Sequence, residues 1–301
     1  MRCLKPAVCT FLLPIWIMFF PMQSIWSQAS PAKCRFVFMT DIHLQPEKKA
    51  VEGFERAIEE VNRLNPDFVI TGGDLIMDAL GQTYGRADSL YKLYQSTASK
   101  LNMPVHNTLG NHEIYGIFDK AHADPAHPEY GEKMYENRLG KSYYSFTYGD
   151  YKFMVLNSVE DTRKNSYVGM IDTVQLDWIK DELAATDTTT PIILSTHIPF
   201  VTVYNQIYNS TTRANDSSLV VVNAKEVLDL FARHHLILVL QGHLHTVEDI
   251  EVNGTRFITG GAVCGRWWTG PNLGFEEGFL LINLDNGSLN WKYVDYGWEV
   301  E

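Results

Sequence analysis

Two short patterns in this chain carry side chains of the kind that bind metal ions. Asp41-Ile42-His43 and His243-Leu244-His245 each place two donors two residues apart, so that in an extended segment both lie on one face. Asp74, Asn111 and His197 complete a set of oxygen and imidazole donors without a thiolate. That mixture suits Mn, Zn or Fe, whereas Ca and Mg favour shells of oxygen alone. The set is too large for one tetrahedral ion and fits two divalent or trivalent ions that share a carboxylate. Such a pair, ~3.5–4 Å apart, clamps a phosphate ester and lowers the pKa of a bridging water. Gly72, Gly73, Gly110 and Gly242 flank the donors, where they allow tight turns and a close approach of backbone to metal or phosphate. Each fragment is weak by itself, because a lone histidine at a strand end is more often satisfied structurally than bound to metal.

The elements around these residues give the fragments a joint meaning. Cys34–Thr40 is a β-branched and aromatic run ending at Asp41, and Val51 to Leu64 then carries apolar residues at helical spacing until Asn65-Pro66 stops it. Phe68-Val69-Ile70 predicts a buried strand ending at Gly72-Gly73-Asp74. A helix over about Arg86 to Lys100 leads to a strand at Val105–Leu109 and to Gly110-Asn111. Tyr143–Tyr148 and Lys152–Ser158 read as a hairpin around Gly149-Asp150, followed by a helix at about Asp172–Ala185. Ile192–Ser195 and Leu236–Leu240 are strands running to His197 and His243, with a helix at Glu226 to Arg233 between them. The last stretch is mostly β. Asp41, Asp74, Asn111, His197 and His243 thus all stand just past the C-terminal end of an apolar strand, the edge at which open α/β sheets bind ligands. The fold class expected is α/β, with two β layers flanked by helices in one domain over residues 30–301.

The first 29 residues read as a separate object, a cleaved export signal. Arg2 and Lys5 precede an uncharged apolar stretch from Val8 to Phe20, and Ser27-Gln28-Ala29 offers small residues for cleavage. The competing reading is an uncleaved membrane anchor, which Pro14, Pro21, Gln23 and Ser24 weaken. Export implies a secreted or periplasmic protein with no stable membrane association once the signal is gone. The chain of 301 residues carries a net charge of −11, which becomes −13 without Arg2 and Lys5 because no acid lies in that stretch. So acidic a surface argues against a nucleic-acid backbone or an anionic membrane as the main partner. It allows a small phosphorylated substrate, since bound cations reverse the local field of a cleft. Cys34 and Cys264 alone remain after cleavage and make no disulfide framework. Asn-x-Ser/Thr sequons begin at Asn209, Asn215, Asn253 and Asn286.

Read in order, Asp41-x-His43, Gly73-Asp74, Gly110-Asn111-His112-Glu113, His197 and Gly242-His243-x-His245 resemble the motifs of the calcineurin-like metallophosphoesterase superfamily. The resemblance implies a β-sandwich of two mixed sheets with helices outside, four layers in all, and metal-dependent hydrolysis of a phosphate ester. It implies Asp41, His43 and His245 on one metal, Asn111, His197 and His243 on the other, and Asp74 bridging them. A metal-bridging hydroxide would be the nucleophile. His112 would steady the transition state or protonate the leaving oxygen, and Glu113 would orient His112. Position 77 is Met where purple acid phosphatases place a tyrosine ligand, and position 43 is His where that group has Gly. The chain is therefore more similar to the phosphodiesterases of the superfamily.

Further residues are weighed more lightly. Arg266-Trp267-Trp268 follows a glycine turn; tryptophan pairs are usually core, but a rim position is favoured for these two, where the rings could stack on a base or sugar while Arg266 reaches a phosphate oxygen. Tyr204 lies in Pro199–Ser217, an aperiodic stretch rich in Tyr and Asn that has the length of a lid. His106 is expected to pack within its strand, His234 and His235 to end a helix, and His122 and His127 to lie on a surface excursion. The rival from another class is a catalytically silent binding module of the same fold, which the complete donor set disfavours. A metallohydrolase of amides or lactams lacks its H-x-H-x-D-H arrangement here.

Overall fold

A computed structural model describes residues 33–300 except Asn286. The expected signal at residues 1–29 and the sequon at Asn286 lie outside the described residues. Chain order begins β1 (Cys34–Met39), α1 (Ala50–Leu64), β2 (Phe68–Thr71), α2 (Tyr84–Ala98), β3 (Val105–Asn107) and α3 (Lys133–Leu139). Then come β4 (Tyr144–Tyr148), β5 (Tyr151–Val155), β6 (Val159–Asp161), β7 (Tyr167–Gly169), α4 (Thr173–Ala184) and β8 (Pro191–Ser195). The chain closes with α5 (Tyr204–Tyr208), α6 (Ala224–Leu230), β9 (His235–Gln241), β10 (Val247–Val252), β11 (Thr255–Gly260), β12 (Gly278–Asp285) and β13 (Ser288–Asp295). The helices expected in the sequence are present with ends shifted by a few residues. Helix α4 sits where Asp172 caps it, its side chain accepting from the Gln175 N–H at 2.7 Å. His235 departs from expectation: α6 already stops at Leu230, and His235 opens β9.

Two large mixed sheets form the frame, in the orders β13-β12-β1-β2-β3 and β10-β11-β9-β8-β5-β4. In the first, β1, β2 and β3 run parallel out to the β3 edge, and the antiparallel β12–β13 hairpin covers the other side. In the second, β11, β9, β8 and β5 are parallel and the antiparallel β10 and β4 cover the two edges. Period-two alternation sorts the side chains of the inner strands. Phe36, Phe38, Phe68, Phe153, Ile193, Leu240 and Ile282 fill the space between the sheets. Val37, Met39, Val69, Met154, Leu194 and Val239 belong to the core formed with the helices on the outer faces. The result is helix, sheet, sheet and helix in four layers, as expected. From Phe36 to Met39 β1 is buried on both faces, which is why that stretch reads as an unbroken apolar run.

Trp268 corrects the sequence reading. It is 1% exposed, so it is core and not rim. Its indole lies on Gly53 of α1, where an added Cβ would collide with the ring, and its Nε1 donates to the carbonyls of Ile42 and His43 at 3.0 and 3.2 Å. A glycine inside a helix costs about 1 kcal/mol relative to alanine; here it makes the hole that seats the largest core side chain. Trp268→Ala should therefore lower the unfolding free energy by about 3–5 kcal/mol, read as a shift in the urea midpoint. A midpoint unchanged from wild type would contradict this packing. Cys34 and Cys264 are both buried free thiols. His106 packs as expected, its ring stacked on Phe146 at 3.6 Å. No helix among the described residues is long and apolar enough to cross a membrane.

Candidate metal centre

The C-terminal ends of β1, β2, β3, β8 and β9 bring Asp41, Asp74, Asn111, His197 and His243 to one edge, and the loop after β9 adds His245. Their donor atoms fall into two groups. In the first, His245 Nε2 lies 3.3 Å from Asp41 Oδ1 and 3.0 Å from His43 Nε2. In the second, His197 Nε2 lies 3.1 Å from Asn111 Oδ1 and 3.2 Å from His243 Nδ1. Asp74 Oδ2 stands between them, 3.5 Å from His43 Nε2 and 3.2 Å from His197 Nε2. The donor atoms of Asp74, His197 and His243 all lie within 4.8 Å of one another.

The backbone achieves this differently from the strand alternation read from the sequence. Asp41, His43, Asp74, His243 and His245 all have left-handed backbone, with φ of +54°, +46°, +52°, +73° and +52°. Each such residue costs roughly 1–2 kcal/mol against its ordinary conformation, so the surrounding structure must hold it. Part of that hold is visible. The Asp41 N–H donates to Gly73 O at 3.0 Å and the His43 N–H to Asp74 O at 2.8 Å. The His243 N–H donates to Asp41 Oδ2 at 2.9 Å, and Thr40 Oγ1 donates to the same oxygen at 2.7 Å. Gly110 has no side chain because a Cβ there would run into the backbone nitrogen and carboxylate of Asp74.

Two of the imidazoles are aimed by their second nitrogen. His197 Nδ1 donates to Gly72 O at 2.8 Å and His245 Nδ1 to Gly265 O at 2.6 Å, which turns both Nε2 atoms inward. Burial opposes charge on His197, but the Asp74 carboxylate outweighs it and raises the imidazole to about 9. Burial likewise opposes charge on His245, and Asp41 prevails and raises it well above its usual value. Burial and then the neighbouring His197 hold His243 down at about 4. Burial also disfavours the charged form of Asp74, yet His197 and His112 pull its carboxyl well below the ordinary range.

The residues fit metal ions. The nitrogens of His43 and His243 that meet the other donors are Nε2 and Nδ1, while their second nitrogens are buried without a hydrogen-bond partner. Imidazole nitrogens confront each other at 3.0 and 3.2 Å, a contact that needs a proton or a cation between the lone pairs. Cys264 is no donor: its Sγ lies 4.0 Å from His245 Nδ1, the nitrogen already given to Gly265.

Glu113 acts otherwise than expected. Rather than reaching the His112 ring, its carboxylate accepts four backbone N–H groups: those of Asp74 and Gly110 on Oε2 at 2.9 and 2.8 Å, and those of Leu75 and Ile76 on Oε1 at 2.8 and 3.1 Å. It clamps the β2 and β3 loops together and so fixes Asp74 against Asn111. Burial, then the Asp74 charge, push this carboxyl up to about 8, while the backbone donors work the other way. Glu113→Gln would turn an NH₂ group toward one pair of these donors. We expect a loss of at least about 2 kcal/mol of stability and a fall in bound metal, measured by thermal melting and elemental analysis; unaltered values of both would refute the clamp.

His112 is aimed by the Met77 carbonyl, to which its Nδ1 donates, and by its own N–H, which donates to Asp74 Oδ1 at 2.9 Å. Its Nε2 lies 3.9 Å from Asp74 Oδ2, and its ring meets that of His43 edge-on at 4.6 Å. Tyr204, by contrast, packs on Tyr208 at 5.1 Å within its own helix. Arg266 is exposed, with its Nε 3.4 Å from Thr269 Oγ1. Two residues at the centre, Thr40 and Tyr167, escaped the sequence reading. Thr40, next to Asp41, could have been found as a hydroxyl beside a strand-end carboxylate. Trp267 presents its ring 5.0 Å from that of His245. Tyr167, 6.3 Å from the His243 ring, is delivered by the β6–β7 hairpin and left no signal in the sequence.

Frame and centre together are those of a metal-dependent phosphoesterase, and the comparisons with known proteins agree. The family model for calcineurin-like phosphoesterases matches residues 34–247, and the chain belongs to that family of phosphoric ester hydrolases. It is 23% identical over 269 residues to a probable cyclic nucleotide phosphodiesterase of Xenorhabdus bovienii, covering 83% of this chain and 95% of that one. Among solved structures, a dimetal phosphatase from Danio rerio has a TM-score of 0.58 at 14% identity, with 88% of this chain and 99% of that chain covered. The Plasmodium protein GAP50, described as the anchor in the inner membrane complex, has a TM-score of 0.54 at 17% identity over 89% of this chain and 86% of its own.

Proposed function

We propose that the chain hydrolyses a small phosphodiester at a centre of two metal ions, a phosphomonoester being the nearest alternative. The observation that carries this reading is Asp74 Oδ2, placed within 3.5 Å of an imidazole from each donor group. Asp41, His43 and His245 would hold one ion, Asn111, His197 and His243 the other, and Asp74 both; the donor chemistry suits Mn, Zn or Fe. When bound, the ions would polarise the phosphoryl oxygens and lower the pKa of a water between them.

The chain's own residues supply the rest. His112, fixed through Nδ1, turns Nε2 toward the centre, where its protonated form can give a proton to the leaving oxygen or hydrogen-bond a phosphoryl oxygen. Arg266, exposed next to Trp267, would offer a positive charge to a non-reacting phosphate oxygen. A diester is favoured by Met77 in the place of a tyrosine ligand and by similarity to the Xenorhabdus protein. Export is part of the proposal and rests on the pattern from Arg2 to Ala29.

Purified protein should contain metal and should cleave bis(p-nitrophenyl) phosphate on addition of Mn or Zn. A protein with neither metal nor turnover would instead be a silent binding module of this fold.

A further inference from the structure

We propose that Trp267 is an aromatic wall of the active site, and that the substrate is a phosphate ester carrying a flat ring, a free nucleotide. The inference rests on the proposed hydrolysis at the same centre and names its substrate class.

The two adjacent tryptophans have opposite fates. Trp268 is sealed in the core and hydrogen-bonded to the carbonyls of Ile42 and His43, the segment that carries a metal donor. Trp267 is 40% exposed, its ring 5.0 Å from that of His245 and 6.1 Å from that of His43. Both have left-handed backbone, φ +50° and +63°. Two bulky residues in succession rarely adopt it, and they persist there only when the surroundings hold them. The hold comes from either side of Trp267: Arg266 N–H donates to Gly270 O at 2.8 Å and Trp268 N–H to Cys264 O at 2.7 Å, while Lys48 Nζ donates to Trp267 O at 3.3 Å. Trp267 gains little burial from this conformation. What the conformation secures is the position of an exposed indole beside the donors that would take the phosphate.

An indole so held offers a π-face of low entropy cost, suited to stacking on a nucleobase. The phosphate would sit at the donor groups and the base against Trp267, about one sugar ring away. The net charge of −11 disfavours a polynucleotide and leaves a free nucleotide as the candidate.

The test uses the full manganese-loaded chain as wild type, Trp267→Ala and Trp267→Phe. For cyclic adenosine monophosphate, Trp267→Ala should lower kcat/KM about tenfold or more, mainly through KM, and Trp267→Phe should stay within about threefold of wild type. Hydrolysis of glycerophosphoethanolamine, which has no ring, and manganese content should be unchanged in both variants. Adenosine monophosphate should quench a part of the wild-type indole fluorescence that Trp267→Ala lacks. Equal losses on both substrates, or none on either, would overturn the wall. A wild type that cleaves neither substrate would sink the hydrolysis reading. The fluorescence titration then decides the wall alone, and quenching indifferent to Trp267 would overturn it. Should Trp267→Ala fail to fold, Trp267→Leu takes its place in every comparison.

Discussion

Asp74→Asn should reduce kcat/KM for a phosphodiester by about a thousandfold or more while leaving the far-ultraviolet circular dichroism native. Removal of one outer hydrogen-bond partner at a metal site typically costs 10–100-fold, and loss of one electrostatic contact to a transition state costs about 10²–10³. Asp74 serves both donor groups, so its charge is lost twice. Its Oδ2 lies 3.5 Å from His43 Nε2, 3.2 Å from His197 Nε2 and 3.9 Å from His112 Nε2. An amide nitrogen there would face three imidazoles, and an amide oxygen would carry no charge to share. Asn keeps the shape and the hydrogen bond from the His112 N–H, so the fold should survive. Elemental analysis should find less metal in the variant than in wild type. Near-normal turnover with full metal content would show that Asp74 is not shared.

Metal removal should have an effect of comparable size, with a pH dependence set by two protons. In the metal-free protein His197 titrates at about 9 and His245 well above its usual value, so both imidazoles are charged at neutral pH. A metal ligand must be neutral, and binding therefore expels these protons. Apparent affinity at the His197 group should fall about tenfold for each pH unit below 9. Calorimetric titration of the chelator-treated protein, repeated in buffers of different ionisation enthalpy, should show the protons leaving.

The stability of the metal-free protein should run the other way. The folded-state pKa of His197 is raised, so its pairing with Asp74 contributes fully below about 6.5, the unperturbed value, and is lost as pH rises through about 9. The melting temperature without metal should thus decline over that window, while the metal-loaded protein gains about 2.7 kcal/mol once free metal reaches a hundred times Kd. Metal binding without proton release, or a flat metal-free profile, would contradict the charge state assigned to His197.

The site was legible because ligands in an α/β sheet gather at one edge. Five apolar strands ending at Asp41, Asp74, Asn111, His197 and His243 are a local pattern, since a strand is a run of residues and its end is the next polar one. Helices α1, α2, α4 and α6 were legible for the same reason, from apolar spacing and from stops such as Asn65-Pro66, whereas α3 and α5 were not read. The class of chemistry followed from donor types, which composition and order alone display.

Tertiary structure decided what depends on residues distant in the chain. Trp268 is core because Gly53 of α1 opens a hole for its indole; nothing near position 268 marks that hole, so the rim reading failed for Trp268 while Trp267 is exposed. Glu113 clamps two loops because β2 and β3 lie side by side, whereas the family resemblance had paired it with His112. The left-handed backbone of Asp41, His43, Asp74, His243 and His245 is likewise invisible in residue type, since none is a glycine. Its source is the fold: hydrogen bonds to residues distant in the chain hold Asp41, His43, Asp74 and His243, and without them these residues would relax to the right-handed or extended form.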